Sequence, residues 1–228
     1  MGRRILLVEG KNDRHVVFNL RDVHGIASSA FEVEMPRTAE EAEEIDASQQ
    51  EGGDRILLDS LRWRLATSDL ECLAVVIDAD TNGPGSRWDS IRDRLLKAGY
   101  EGVPENHAAE GTVFDLSLRP RTPRAVRFSV WIMPDNRSPG MLEDFVLRLI
   151  REDDATLPFV DRFLDSIPAD RRRFSPAHRP KARIHSWLAV SDTPGRPMGL
   201  AIKADRLLDG KHPSVSPFIA WIRRALLD

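Results

Sequence analysis

Two aspartates separated by one small residue end a strongly apolar stretch, Leu73-Ala74-Val75-Val76-Ile77-Asp78-Ala79-Asp80. If the strand geometry persists, their side chains point the same way, about 6–7 Å apart, because each strand residue rises about 3.3 Å. Carboxylates so spaced can converge on one hard cation. The plainer alternative is that Asp80 caps the following helix and Asp78 is a solvated strand end. Further acids occupy equivalent places. Glu9 follows the apolar run Arg4-Ile5-Leu6-Leu7-Val8, Asp13 lies four residues on, and Glu143-Asp144 come after the run Val126 to Met133. Asp13 falls in the first turn of a helix, where the helix dipole favours a carboxylate whatever else it does. Several carboxylates at one edge repel one another unless cations occupy the site. Mg²⁺ or Mn²⁺ suits such an all-oxygen set, and two such ions can activate water and steady a leaving oxygen in phosphodiester cleavage.

The elements that must position these acids follow from periodicity. The 72–78 run, apolar without alternation, reads as a central parallel strand buried on both faces. Open α/β sheets bind ligands at the carboxyl ends of such strands. Arg4–Val8 is a short buried strand, and Asn12 is a fair N-cap for a helix to Val23, closed by His24-Gly25. Phe31–Met35 alternates as a half-exposed strand, and Thr38–Ala47 reads as an acidic helix with capping-box spacing at Thr38 and Glu41. A helix over about 54–67 precedes the central strand, and another over 86–98 follows it. Gly111–Leu116 and Val126–Met133 are strands, with a helix from Met141 to about Arg151 after them. Strand–helix alternation implies parallel pairing with right-handed crossovers. The expected fold is therefore α/β, a Rossmann-like, mainly parallel sheet flanked by helices over residues 1–150. Beyond Glu152, prolines separate short helices at 159–167, 182–190, 201–208 and 216–227, giving a carboxy-terminal helical lobe over 151–228. There Phe218, Trp221, Ile222 and Leu226 form a core stripe.

Composition bounds the rest. The chain has 228 residues, 41% of them hydrophobic, and a single cysteine, Cys72. That allows a sizeable core and excludes an internal disulfide framework or a multi-cysteine zinc site. No stretch reads as a signal peptide or membrane span, so the expectation is a cytoplasmic protein without a membrane partner. The net charge of −3 hides segregation: nine acids between Glu32 and Asp54, against six Arg or Lys and no acid between Arg171 and His185. Arg119, Arg121, Arg124 and Arg127 form a second basic cluster. Segregated positive charge can track a phosphate backbone even on an acidic chain, and the alternative is a set of solvated arginines. Arg171, Arg172, Arg173, Arg179 and Arg183 are the candidate nucleic-acid contacts.

In motif order, Val8-Glu9-Gly10 and Ile77-Asp78-Ala79-Asp80 resemble the Toprim superfamily, which shares a glutamate after its first strand and an Asp-x-Asp after a later one. The run Val8-Glu9-Gly10-Lys11-Asn12-Asp13 resembles the start of standalone, DUF3226-like Toprim proteins related to the overcoming-lysogenization-defect (OLD) nucleases. Trp131-Ile132-Met133-Pro134-Asp135-Asn136, Gly140-Met141-Leu142-Glu143-Asp144 and Lys181-Ala182-Arg183-Ile184-His185-Ser186-Trp187 are similar to the same group. The resemblance implies a two-metal nuclease acting on DNA in genome defence. Glu9 and Asp13 would hold one Mg²⁺ or Mn²⁺, Asp78 and Asp80 the other, with Glu143 or Asp144 as the later ligand. Lys181 would stabilise charge on the phosphate, and Glu9 and Lys181 are the implied catalytic pair. OLD nucleases carry an amino-terminal ATPase, whereas Gly10-Lys11 lacks the glycine spacing of a P-loop. Any energy coupling is therefore expected from a separate ATPase partner, and a homo-oligomer is compatible with the sequence.

A second reading is a non-catalytic nucleic-acid-binding or scaffold subunit on the same fold, working with that ATPase. Strand passage would need a nucleophilic tyrosine, and the sole Tyr100 follows a helix-ending glycine with no supporting signal. No nucleotide or template apparatus for primer synthesis is apparent.

Overall fold

The computed structural model describes residues 2–36, 53–118, 125–203 and 207–228. The acidic segment read as a helix over 38–47, and Arg119, Arg121 and Arg124, lie outside them. Six strands form one sheet: β1 (Arg3–Val8), β2 (Glu32–Glu34), β3 (Leu70–Asp78), β4 (Tyr100–Glu101), β5 (Thr112–Leu118) and β6 (Val126–Met133), in the order β2-β1-β3-β6-β5-β4. β2, β1, β3 and β6 are parallel; β5 and β4 add antiparallel strands at one side. The strand expected at 111–116 thus departs from a purely parallel alternation. The few residues between Leu118 and Val126 are too short for a parallel crossover, which needs a dozen or more. The result is an α/β fold with a mainly parallel sheet.

β3 is central because it is apolar on both faces. Cys72, Ala74 and Val76 join one core with Leu6, Val8, Trp131 and Met133. Leu73, Val75 and Ile77 join the other with Ile5, Leu7, Val130 and Ile132. The second face is covered by α2 (Asp54–Leu65) and α3 (Gly83–Lys97). The first is covered by α1 (Lys11–Val23) together with α4 (Leu142–Leu147) and the later helices α5 (Leu157–Ser166), α6 (Arg179–Ala189), α7 (Met198–Lys203) and α8 (Ser216–Leu226). Phe218 and Trp221 of α8 lie with ring centroids 5.3 and 5.8 Å from Trp131 of β6, so the expected stripe is core. The helices of residues 151–228 therefore continue the apolar core of the sheet itself. Among the described residues no helix is long and apolar enough to cross a membrane.

Several helix boundaries differ from expectation: α3 and α6 start three residues early, at Gly83 and Arg179, and α7, expected over 201–208, spans Met198–Lys203, while α1 and α4 differ for visible reasons. α1 begins at Lys11 with Gly10 as its N-cap. The Asp13 carboxylate, rather than Asn12, closes that end by accepting the Gly10 N–H at 3.1 Å. α4 stops at Leu147 instead of continuing to Arg151. Ile150 bridges to Leu208 there, and the Leu149 carbonyl accepts the Asp209 N–H at 2.8 Å, drawing the chain out of the helix.

α7 reaches α1 only because residue 199 lacks a side chain. A Cβ on Gly199 would lie 2.5 Å from the backbone carbon of His15, where nothing flexible can give way. Gly199→Ala should lower stability by about 1–3 kcal/mol through overpacking. The neighbouring exposed Leu200→Ala should stay within about 0.5 kcal/mol of wild type. Urea-unfolding midpoints measure both.

Candidate metal centre

Parallel order delivers the acids to one place. β1 ends at Val8, β3 at Asp78 and β6 at Met133, all neighbours running the same way. Glu9 leaves the end of β1, Asp78 closes β3, and Glu143 and Asp144 lie in the first turn of α4 behind β6. Backbone donors orient them. Glu9 Oε1 accepts the Asp78 N–H at 2.6 Å, and Asp78 Oδ1 accepts the Leu142 N–H at 2.9 Å. Asp13 comes alongside from the first turn of α1.

The loop from β6 to α4 is fixed by its own polar residues. Asn136, buried and left-handed (φ +58°), accepts the Ile132 N–H at 2.7 Å through its side chain. Asp135 accepts the Arg137 and Ser138 N–H groups at 3.0 and 2.8 Å and pairs with Arg148 at 2.8 Å. These are the residues of the Met-Pro-Asp-Asn motif, and their work here is to set the approach of Glu143. At Gly140 (φ +138°) a Cβ would lie 2.7 Å from Asp144 Oδ2, so the turn that presents the acid pair tolerates only glycine.

Burial and mutual repulsion dominate the electrostatics. Glu9 is pushed up to about 8, first by burial and then by the Asp13 charge, against the Asp78 N–H hydrogen bond. Asp13 is raised to about 8 by burial, with repulsion from Asp78 and Glu143. Asp78 is raised to about 8 by burial, with repulsion from Glu9 and Glu143. Glu143 is 3% exposed, and its Oε1 lies 3.4 Å from Lys181 Nζ, which α6 brings in from the carboxy-terminal helices. Of the expected site residues, Glu9, Asp13, Asp78 and Glu143 lie near enough for their charges to interact, and Lys181 reaches Glu143.

Asp80 and Asp144 have partners of their own, Asp144 in the same capping role that Asp13 plays on α1. Asp144 Oδ2 accepts the Met141 N–H at 2.9 Å and caps α4, and burial raises its pKa. Asp80 adopts the left-handed conformation (φ +54°) and pairs its backbone with Gly140 through two hydrogen bonds of 2.9 Å. Its carboxylate is ion-paired with Arg87. Arg87 also donates to Asp54 Oδ2 at 2.7 Å and to the Asp78 carbonyl at 2.7 Å, and holds Asp54 below the usual carboxylate range. Sequence reasoning missed Arg87 and Asp54. The available signal was an arginine seven residues beyond Asp80 on the following helix; nothing marked Asp54, 33 residues from Arg87.

Of the five arginines expected to meet nucleic acid, Arg179 pairs with Asp165 at 2.9 Å and Arg183 grips Asp161 with two bonds of 2.7 and 2.8 Å. Arg172 donates to the Ile167 carbonyl at 3.3 Å, and its guanidinium lies 5.7 Å from the Phe174 ring. Arg171 and Arg173 are exposed. An open groove of about 470 Å³ is lined by Asp80, Asn82, Gly140, Asp144, His178 and Pro180 among others, and Glu9, Asp13, Asp78, Glu143 and Lys181 are not among its lining residues.

Glu9, Asp13, Asp78 and Glu143 are the residues that could hold a cation. The donor set fits Mg²⁺ or Mn²⁺: all oxygen, with mutually repelling charges that a divalent ion would neutralise. As placed, each of Glu9, Asp13 and Asp78 has one oxygen engaged by a backbone N–H, and among the described residues no three acids close on a common point as ligands do.

The chain belongs to the DUF3226 family, described as a protein of unknown function, which matches residues 3–227. Neither a curated protein nor a solved structure matches it.

Because the folded chain holds the protons of Glu9, Asp13 and Asp78 more tightly than the unfolded chain, whose carboxylates titrate near 4, metal-free stability should fall as pH rises from about 4 to about 8 and level off above. Asp78→Asn, which keeps the acceptor for Leu142, should flatten that decline and gain roughly 1–3 kcal/mol at pH 8. Thermal melts in EDTA from pH 4 to 9 test this, and an unchanged slope in the variant would refute it.

Proposed function

We propose that this protein is a Mg²⁺- or Mn²⁺-dependent nuclease that hydrolyses phosphodiester bonds of nucleic acid, DNA by its resemblance to the OLD nucleases. One observation carries the reading: Glu9, Asp13, Asp78 and Glu143 share one sheet edge with Lys181 beside them. Those four acids would hold the ion. A bound Mg²⁺ or Mn²⁺ supplies Lewis-acid polarisation of the phosphoryl oxygen and lowers the pKa of water.

The chain's own residues do the rest. Backbone donors from Asp78 and Leu142 anchor one oxygen each of Glu9 and Asp78, and the free oxygens would close on the ion as it binds. Lys181 is half exposed and its ammonium sits at the rim, where it can exchange Glu143 for a phosphate oxygen and stabilise the charge that develops there. The groove past Asp80 and Asp144 admits the strand, and the exposed Arg171 and Arg173 contribute sequence-independent phosphate attraction. A separate ATPase would supply any energy coupling, and the cytoplasm is the setting in which such an enzyme would meet foreign DNA. A homo-oligomer is compatible with this reading.

Wild-type protein should cut supercoiled plasmid and labelled linear DNA with Mg²⁺ or Mn²⁺ and not with EDTA. Asp78→Ala should abolish cutting, and Lys181→Ala should lower the rate about 10²–10³-fold, the usual loss of one charge-stabilising group. DNA that is bound but never cut, with metal present, would instead identify a non-catalytic nucleic-acid-binding subunit.

A further inference from the structure

The resemblance to two-metal nucleases places a second cation at the Asp-x-Asp motif, yet in this chain a cation of another kind is already there. The Arg87 guanidinium is bound to the Asp80 carboxylate, donates to Asp54 Oδ2 at 2.7 Å, and donates through Nε to the Asp78 carbonyl at 2.7 Å. Its side chain is only 10% exposed. Three different segments meet on it: the first turn of α2, the end of β3 and the β3–α3 turn. An arginine stays charged at every accessible pH, and its planar fork matches carboxylates better than a lysine would. Evicting it would leave a buried charge without its partners, a strongly unfavourable change.

We infer that the chain binds a single divalent cation, and that Arg87 permanently fills the place of a second by holding Asp80 and Asp54. The inference rests on the metal-dependent reading given above. Asp80 is then a positioning residue. It anchors Arg87, and through two backbone bonds to Gly140 it couples the β3–α3 turn to the loop that presents Glu143. The fixed guanidinium supplies positive charge on one flank of the acids, as Lys181 does on the other. It brings no metal coordination of its own, so any lowering of the pKa of water would have to come from the one ion held by Glu9, Asp13, Asp78 and Glu143.

The test counts bound Mn²⁺ on the full chain, by electron paramagnetic resonance of the free ion and by calorimetry. One Mn²⁺ per chain is expected for wild type, for Arg87→Lys and for Asp80→Asn. Two are expected for Arg87→Gln, whose vacated Asp80 and Asp54 become available as oxygen ligands. Circular dichroism checks that each variant folds. Should Arg87→Gln fail to fold, Asp80→Asn decides the matter, because the half-exposed Asp80 can be neutralised with little packing change. Two ions on wild type, one on Arg87→Gln, or loss of the ion in Asp80→Asn would each overturn the assignment of Arg87 while leaving a cation site in place. No ion on folded wild type would overturn the metal-dependent reading itself, and this inference with it.

Discussion

The hydrogen bond from the Asp78 N–H to the Glu9 carboxylate ties together the ends of β1 and β3, and the next bond, from the Leu142 N–H to Asp78, adds the start of α4. Two acids thereby join three chain segments beyond the point where the ladder of β1 and β3 ends, alongside the backbone pairing of Asp80 with Gly140. A parallel sheet runs out of ladder partners at its carboxyl edge, so the last N–H groups need other acceptors. Here those acceptors are carboxylates that burial has made reluctant to ionise. The same two bonds thus finish the sheet and create the electrostatic problem on which the site turns.

That problem is large. Two like charges 4 Å apart repel by about 4 kcal/mol at an effective dielectric of 20, and Asp13 and Asp78 repel each other as well as Glu9 and Glu143. A fold selected only for stability would replace some of them with apolar residues, which is often neutral or stabilising for buried charge. Held at one edge beside Lys181 and Arg87, Glu9, Asp13 and Asp78 keep their protons near neutral pH, and a cation would have to displace them. Buried acids perturbed in this way mark a candidate functional site. The flanking cations differ in kind. Arg87 is locked by three partners within the fold, whereas Lys181 touches one acid and keeps half its surface in solvent.

Much of this was legible in the chain because it depended on local pattern. The apolar runs of β3 and β6 and the stripe of α8 announced themselves, and each acid that follows a parallel strand could be placed at one edge from strand order alone. What was not legible depends on tertiary choice. The antiparallel placement of β5 follows from the length of the link to β6, and the early end of α4 from its bridge to Leu208. The basic run 171–185 was visible as charge, but the neutralisation of Arg179 and Arg183 needs the register of α6 against Asp165 and Asp161 of α5. Asp80 read as an equal partner of Asp78. Its left-handed backbone and its arginine separate the two, and neither is encoded in the spacing of the motif.

The position of Lys181 shows why the later helices cannot be peeled from the sheet as an accessory. α6 is held by Ile184, Trp187 and Leu188, all buried, and by the Trp187 indole donating to Asp154 at 3.1 Å. Ile184 and Leu188 lie in the same core as Val8, Val76 and Trp131. The acids are thus fixed by backbone donors at the strand ends, and the cation opposite them is carried on a helix fixed by apolar packing. A side chain on such a helix keeps its own rotamer freedom while its Cα does not move. In the proposed reaction this is the useful division. Glu9 and Asp78 stay anchored by their backbone donors, and the one group that must transfer from Glu143 to an incoming phosphate is the one that can do so without disturbing the core.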